Sequence, residues 1–425
     1  MSFDNQILNP KSQILNQNNI IVIGGGAAGF FAAINCAQIH QNVNVTILEK
    51  SNKVLAKVRV SGGGRCNVTN ACFDNKLLVK NYPRGEKELH AVFSRFTTTD
   101  TINWFEKRGV KLKAEDDGRM FPVTDNSETI INCLMQEAEE AGVKIKMGVD
   151  ISEIIKNEDS SFTLKTNNGG TFSCDKLIIA TGGNAKETAY EWLNKLGHTI
   201  IKPVPSLFTF NIPNNPITQL MGVSVPHAKV RIANSKLETE GPLLITHWGL
   251  SGPAILKASA WGARILNDLN YNFTALISWL PKHTEEKLRI EFNNQREEYS
   301  SKTIINNSPV ELPKRLWEYL VNKAGIPEGT RWADLPKKNA NILINSLIND
   351  EYKIQGKTTF KEEFVTSGGI NLKEIDFATM ESKIINGLYF AGEILNIDGV
   401  TGGFNFQNAW STAFVAANLE TKTRS

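Results

Sequence analysis

The chain has 425 residues, too many for one minimal domain, so two domains or one domain with a large insertion are expected. Apolar residues make up 41% and charged residues 21%, and 47 basic against 44 acidic residues leave a net charge of +3, too even to argue for nucleic acid or an anionic membrane. No run reaches the ~18 apolar residues of a membrane span. The five cysteines form no C-x-x-C pair, which argues against zinc or a disulfide framework and fits a reducing cytoplasm.

Residues 1–19 are polar and rich in Asn and Gln, and read as a disordered lead-in. Residues 20–29 then carry a β-branched run straight into Gly24-x-Gly26-x-x-Gly29, and an alanine-rich helical pattern follows to about Ile39. This is the pattern of a buried strand, a tight turn and a helix whose N-terminus faces a pyrophosphate. Gly24 permits the turn, Gly26 lets backbone approach the phosphates, and Gly29 lets the helix pack on the strand. A second strand-like run, residues 43–48, ends at Glu49, where an acid accepts hydrogen bonds from an adenosine ribose.

Residues 61–70, Ser-Gly-Gly-Gly-Arg-Cys-Asn-Val-Thr-Asn, read as a loop laid along a polar ligand, with backbone N–H groups and Arg65 supplying positive potential. Helical spacing marks residues 86–96 and 101–108. A hairpin turns at residues 116–118, and Ser127 is placed to cap a helix running to Ala141. A small β-meander precedes the run 176–181, which enters Gly182 and Gly183. From about residue 197 prolines cluster among β-prone runs, which suggests an inserted, mostly β unit. A helix is expected over 254–266, helices across 284–349, and β structure again from 352 to 370. A buried strand over 387–393 is followed by Asp398-Gly-Val-Thr-Gly-Gly403 and a helix from Phe404 to Leu419. The order predicts an α/β chain. A Rossmann-like, glutathione-reductase-like FAD-binding domain (20–197 and 356–425) is split by a mostly β insert (198–355) with a helical piece at about 284–349.

The C-terminal segment supplies the strand and helix that would close such a fold. Glu393 stands where an acid could bind ribitol hydroxyls. Gly403 opens a helix whose free N–H groups would stabilise the negative charge of a reduced isoalloxazine ring. His247, between a β run and a glycine-rich turn, is the acid–base candidate, because imidazoles exchange protons near neutral pH. Cys66 has no nearby thiol partner and reads as a small buried residue rather than a redox thiol. A single dinucleotide fingerprint suits NAD(P)H that visits the flavin and leaves.

Taken together, the motifs at 22–29, 61–70, 246–253 and 387–407 make the chain resemble a bacterial flavoprotein family that includes 3-dehydro-bile acid reductases and aminoacetone oxidases. The resemblance implies FAD held by the split domain, with a β-barrel-like insert and a small helical piece covering the flavin. Gly24, Gly25, Gly26, Ala27, Ala28, Gly29, Glu49 and Lys50 would serve the ADP half. Ser61, Gly62, Gly63, Arg65, Cys66 and Asn67 would lie along the cofactor, bordered by Thr181, Gly182 and Gly183. Gly392, Glu393, Gly403, Phe404 and Asn405 would hold ribitol and flavin. Arg59, which interrupts an apolar stretch usual in the family, is expected to face solvent. The expected reaction is NAD(P)H-dependent reduction of an activated small-molecule acceptor through flavin N5, with a peroxide-forming amine oxidase as the rival and a non-catalytic flavin-binding module as the reading from outside enzymology. Neither a nucleic acid nor a membrane partner is expected, and oligomeric state is left open.

Overall fold

A computed structural model describes residues 18–358 and 365–420. The polar lead-in lies outside the described residues up to residue 17. Asn18 and Asn19, expected to belong to it, instead open the first strand, Asn18–Ile23, because Asn18 and Asn19 pair with Val43 and Asn44.

That strand stands fifth in a seven-stranded sheet, at the middle of its five parallel strands. Its parallel part runs Leu388–Phe390, Lys176–Ile179, Asn18–Ile23, Val43–Glu49, Lys144–Met147. Short antiparallel strands Glu381–Ser382 and Ile375–Asp376 extend the edge beside Leu388–Phe390. From Ile20 to Ile23 this strand is buried and β-branched, as a strand covered on both faces must be. The helix Ala27–Ile39 packs against the C-terminal helix Phe404–Ala417, and Phe31 meets Trp410 at 5.3 Å and Trp104 at 4.7 Å between ring centroids. The first core is therefore made from both ends of the chain.

A second core, from Phe208 to Ile354, lies inside another seven-stranded sheet. Its strand order is Asp350–Gln355, Asn272–Ser278, Ser224–Ile232, Glu238–Ile245, Gly249–Ser251, Thr209–Asn211, Lys357–Thr358. The two edge strands are one continuous stretch. Asp350–Gln355 pairs at one edge, bends at Gly356 (φ +93°), and continues as Lys357–Thr358, which pairs at the other. The sheet so closes on itself, and the β unit runs to Thr358, past the division expected at 355. Helices Glu285–Glu298, Lys314–Lys323 and Lys337–Ile348 pack beside it. The helix expected over 254–266 is two, Pro253–Trp261 and Ala263–Asp268, meeting at Gly262. An antiparallel pair, Ile200–Ser206 with Val365–Ile370, stands where the chain passes between the two sheets.

Two local expectations differ. Residues 56–64 form a helix interrupted at Ser61, Gly62 and Gly63, so the glycine run is a helix end rather than a free loop. Ser127 does stand before the helix Glu128–Glu140, but its hydroxyl donates to Arg59 O (2.7 Å) instead of capping. Among the described residues no helix is long and apolar enough to cross a membrane.

Candidate functional site

The parallel strands all end on one edge of the first sheet, and the glycine motifs sit there. Gly24 follows Ile23, Glu49 ends the second strand, Ala180 and Thr181 follow Ile179, and Ala391 and Gly392 follow Phe390. Ala180 N donates to Ile23 O and Ala391 N to Ile179 O, so the turns are pinned side by side. The carboxyl edge of an open parallel sheet is where such folds bind ligands.

Each fingerprint glycine has its own reason. Gly24 takes φ +113° beneath Ala180 and Thr181. A Cβ on Gly29 would overlap Gly24 O. A Cβ on Gly26 would meet nothing within 4 Å. Gly26 is the N-cap of the helix Ala27–Ile39, where no side chain caps the first N–H groups. Open space before uncapped N–H groups, with Ala27 and Ala28 next, is what a pyrophosphate needs. Glu49 is committed further than expected: its carboxylate accepts from Gly25 N (2.7 Å) and Ser51 N (2.8 Å), which fixes the turn and leaves lone pairs for a ribose. Lys50 is exposed.

Gly62 and Gly63 have φ +59° and +69°, and Cys66, which is not glycine, has +61°. Cys66 N donates to Ser61 O (3.0 Å), and burial pushes the Cys66 thiol up to about 12, so it stays protonated and inert. Arg65 does not lend its charge to the site as expected. It donates to Glu115 (2.6 Å) and lies 3.9 Å over the Phe121 ring, with Asp125 at 3.6 Å. Asn67 Oδ1 is buried without a partner. A Cβ on Gly403 would stand 2.9 Å from it, which puts this orphaned acceptor at the start of the C-terminal helix. Arg59, expected in solvent, is half-exposed and pairs with Glu128.

Gly182 (φ +72°) and Gly183 bring the third strand end against Glu393: a Cβ on Gly183 would be 2.9 Å from Glu393 Oε1. Thr181 is exposed at this turn. Glu393 accepts from Thr366 N (2.9 Å) and Lys57 Nζ (2.6 Å). Gly392 N donates to Thr412 Oγ1 (2.9 Å), and a Cβ on Gly392 would stand 2.8 Å from Ala28 Cβ, so the fingerprint and the C-terminal helix come together at this glycine. Gly403 (φ +93°) is that helix's N-cap, again without a side-chain cap. Phe404 is buried, its ring packed toward Tyr82 and Gly402, and its carbonyl accepts from Tyr82. Asn405 has a structural task the sequence did not suggest: its amide both donates to Gly399 O (3.0 Å) and accepts from Gly399 N (2.8 Å).

His247 belongs to the second sheet rather than to the strands of this edge. It is exposed in the turn between Glu238–Ile245 and Gly249–Ser251, with its ring 3.8 Å from that of Trp248. The hydrogen bonds of this turn run to Gly249 and Ile212, within the second sheet. Sequence reasoning missed Lys57, Tyr82, Arg84 and Thr366. Asp398, given no role in the run that leads to Gly403, is fully buried and paired with Arg84. Burial pushes the Asp398 carboxyl up, and the Arg84 guanidinium and Ser206 hydroxyl pull it back.

Two uncapped helix starts, the open positions at Gly26 and Gly63, and the orphaned Asn67 carbonyl fit a long dinucleotide spanning the sheet edge, with Gly24 to Gly29 at one end and Glu393 to Gly403 at the other. Fold and site together define the class: a Rossmann-like FAD-dependent oxidoreductase. Within it, the HI0933-like protein Rossmann domain family matches residues 18–419, and the chain belongs to that family. Ribosomal RNA dihydrouridine synthase of Haemophilus influenzae is 31% identical over 408 residues, 93% of this chain and 97% of that protein. The Escherichia coli protein of the same name is also 31% identical, over 93% of this chain and 96% of its own. A 3-dehydro-bile acid delta(4,6)-reductase of Clostridium scindens is 27% identical, over 94% and 98%.

Proposed function

We propose that this protein is an FAD-dependent ene-reductase that takes its electrons from NAD(P)H and saturates the 5,6 double bond of uracil in ribosomal RNA. The observation that carries this reading is the 31% identity, over almost the full length of both chains, to the two ribosomal RNA dihydrouridine synthases. Bound FAD supplies the two-electron chemistry, passing hydride from a reduced nicotinamide to the acceptor. The uracil alkene is conjugated to a carbonyl, so hydride adds at C6 and a proton at C5. The chain's own part is to bind and orient. The N–H groups at Gly26 to Ala28 take the pyrophosphate, and Glu393 takes ribitol hydroxyls. The start of the helix Phe404–Ala417 favours negative charge on the reduced ring. His247 is the proposed proton donor. Its exposed turn is free to meet an acceptor entering from solvent.

A small-molecule acceptor, the reading expected from the sequence, is favoured by one observation: the bile acid reductase at 27% identity. A 3-dehydro bile acid with unsaturation at positions 4 and 6 is also an alkene conjugated to a carbonyl, so the chemistry is shared and only the acceptor differs. The near-even charge of the chain speaks for this second reading and the higher identity for the first.

The test begins without oxygen. The yellow flavin absorbance should bleach on mixing with NADPH or NADH, and its return should be triggered by ribosomal RNA from cells lacking the gene, with dihydrouridine found by mass spectrometry of the digested RNA. Reoxidation by an unsaturated 3-keto steroid but not by RNA would select the second reading. Bleaching by an amino ketone and by neither nicotinamide would sink both. For His247, H247Q should lower kcat and leave FAD affinity unchanged.

A further inference from the structure

Residues 81–85 run as a template along residues 397–404, the loop leading into the C-terminal helix. Val400 N donates to Asn81 O (2.9 Å). Tyr82, fully buried, donates its hydroxyl to Phe404 O (2.7 Å), and a Cβ on Gly399 would come within 3.2 Å of its ring. Arg84 and Asp398 form an antiparallel backbone bridge. The Arg84 guanidinium also forks onto the Asp398 carboxylate, through Nε (2.6 Å) and Nη2. Gly85 takes φ +90° where a Cβ would stand 2.6 Å from Ile397 Cγ1.

The same two charges reach across to the second unit. Arg84 Nη1 donates to Ala260 O (2.7 Å), near the end of the helix Pro253–Trp261. Ser206 Oγ donates to Asp398 Oδ2 (2.8 Å) from the strand by which the chain enters that unit. Every oxygen and nitrogen of the fork is thus used, part of it within the first core and part between the cores.

A buried ion pair is poor evidence for stability, since well-packed apolar side chains do as well. What a bidentate fork adds is fixed direction. Here the fixed segment ends at Gly402 and Gly403, and the N–H groups that follow begin the uncapped helix that would face FAD. We infer that Arg84, acting through Asp398, is a positioning residue. It holds residues 398–403 so that the start of the C-terminal helix meets the flavin, and it registers the second unit against that start. The inference rests on the FAD assignment and not on the identity of the acceptor.

The test uses the full chain and reads the cofactor rather than turnover. In R84M the flavin absorption bands should shift, the flavin midpoint potential should move negative, and the FAD dissociation constant should rise about tenfold or more, as misplaced donors lose their alignment. R84K, which keeps the charge but loses the fork, should show smaller shifts in the same directions. Wild-type spectrum, potential and FAD affinity in a folded R84M, with only the melting temperature lowered, would reduce the pair to a structural one and overturn the inference. Should R84M fail to fold, R84K decides: a wild-type spectrum and potential there overturn it too. A wild-type chain that takes up no FAD would overturn both this inference and the cofactor assignment.

Discussion

Glycines of one turn make opposite demands. Gly29 is closed to any side chain because a Cβ would overlap Gly24 O, while Gly26 has ordinary φ and open space in front of it. Gly29→Ala is therefore expected to cost about 3 kcal/mol of apo-protein stability, the upper end of overpacking. Gly26→Ala is expected to leave apo stability within about 0.5 kcal/mol and to weaken FAD binding about tenfold, because the methyl occupies the phosphate's approach. Urea melts of the apo protein and fluorescence titration with FAD separate the two; equal effects on both readouts would contradict the assignment. His198 gives a pH prediction. It is buried, bonded through Nδ1 to Glu374 and through Nε2 to Ser382 (3.0 Å each), with its ring edge-on to Phe390. Burial holds its pKa below the ordinary 6.5, and Glu374 offsets this only in part. As pH falls through 6.5 the unfolded chain takes up a proton that the folded one resists, so stability falls until the lower folded value is passed. His198→Gln should flatten this acid limb in melts from pH 8 to about pH 5, though its midpoint at pH 8 should also drop through lost packing. An unchanged limb would mean that His198 accepts its proton freely.

At the level of elements, the second sheet closes through one bend, at Gly356. A Cβ there would meet only Asn211 Nδ2 at 3.8 Å, so the cost of Gly356→Ala is the left-handed backbone alone, roughly 1–2 kcal/mol. The expected result is a lower melting temperature with unchanged FAD affinity; a loss of FAD binding would tie barrel closure to the cofactor site. The same elements show what could be read beforehand. The fingerprint turn, the strand ending at Glu49, and the closing strand and helix at 388–417 were legible because each is a local pattern of period, glycine and cap. Partners were not. Lys57 bonds to Glu393 across 336 positions, and Tyr82 to Phe404 across 322, and nothing in residues 81–85 marks them as the template for a loop so far away. Arg65 and Asn405 were assigned to the cofactor by position in a motif, yet Arg65 turns to Glu115 and Asn405 to Gly399. A motif fixes where backbone goes more firmly than where a long or amide side chain finds its hydrogen bond.

For the whole molecule, the cofactor should act as a linker of chain ends. FAD at 100 times its dissociation constant stabilises a protein that binds it only when folded by about 2.7 kcal/mol. That stabilisation should appear in the first core, which holds Trp104 and Trp410, more than in the second, which holds Trp279, Trp317 and Trp332. Retaining one or other set of tryptophans lets the two transitions be followed separately; a first-core midpoint indifferent to FAD concentration would contradict the proposed site. The split of the first core has a further effect during vectorial synthesis. Residues of the second core are contiguous from Phe208 to Ile354 and leave the ribosome before Leu388–Phe390 and the helix Phe404–Ala417 exist. Units of a nascent chain fold as they are completed. The interrupting barrel is thus finished while the sheet it interrupts still lacks a strand and a helix. Flavin uptake becomes a late event of biogenesis, open to the chain only after nearly all of it has been made.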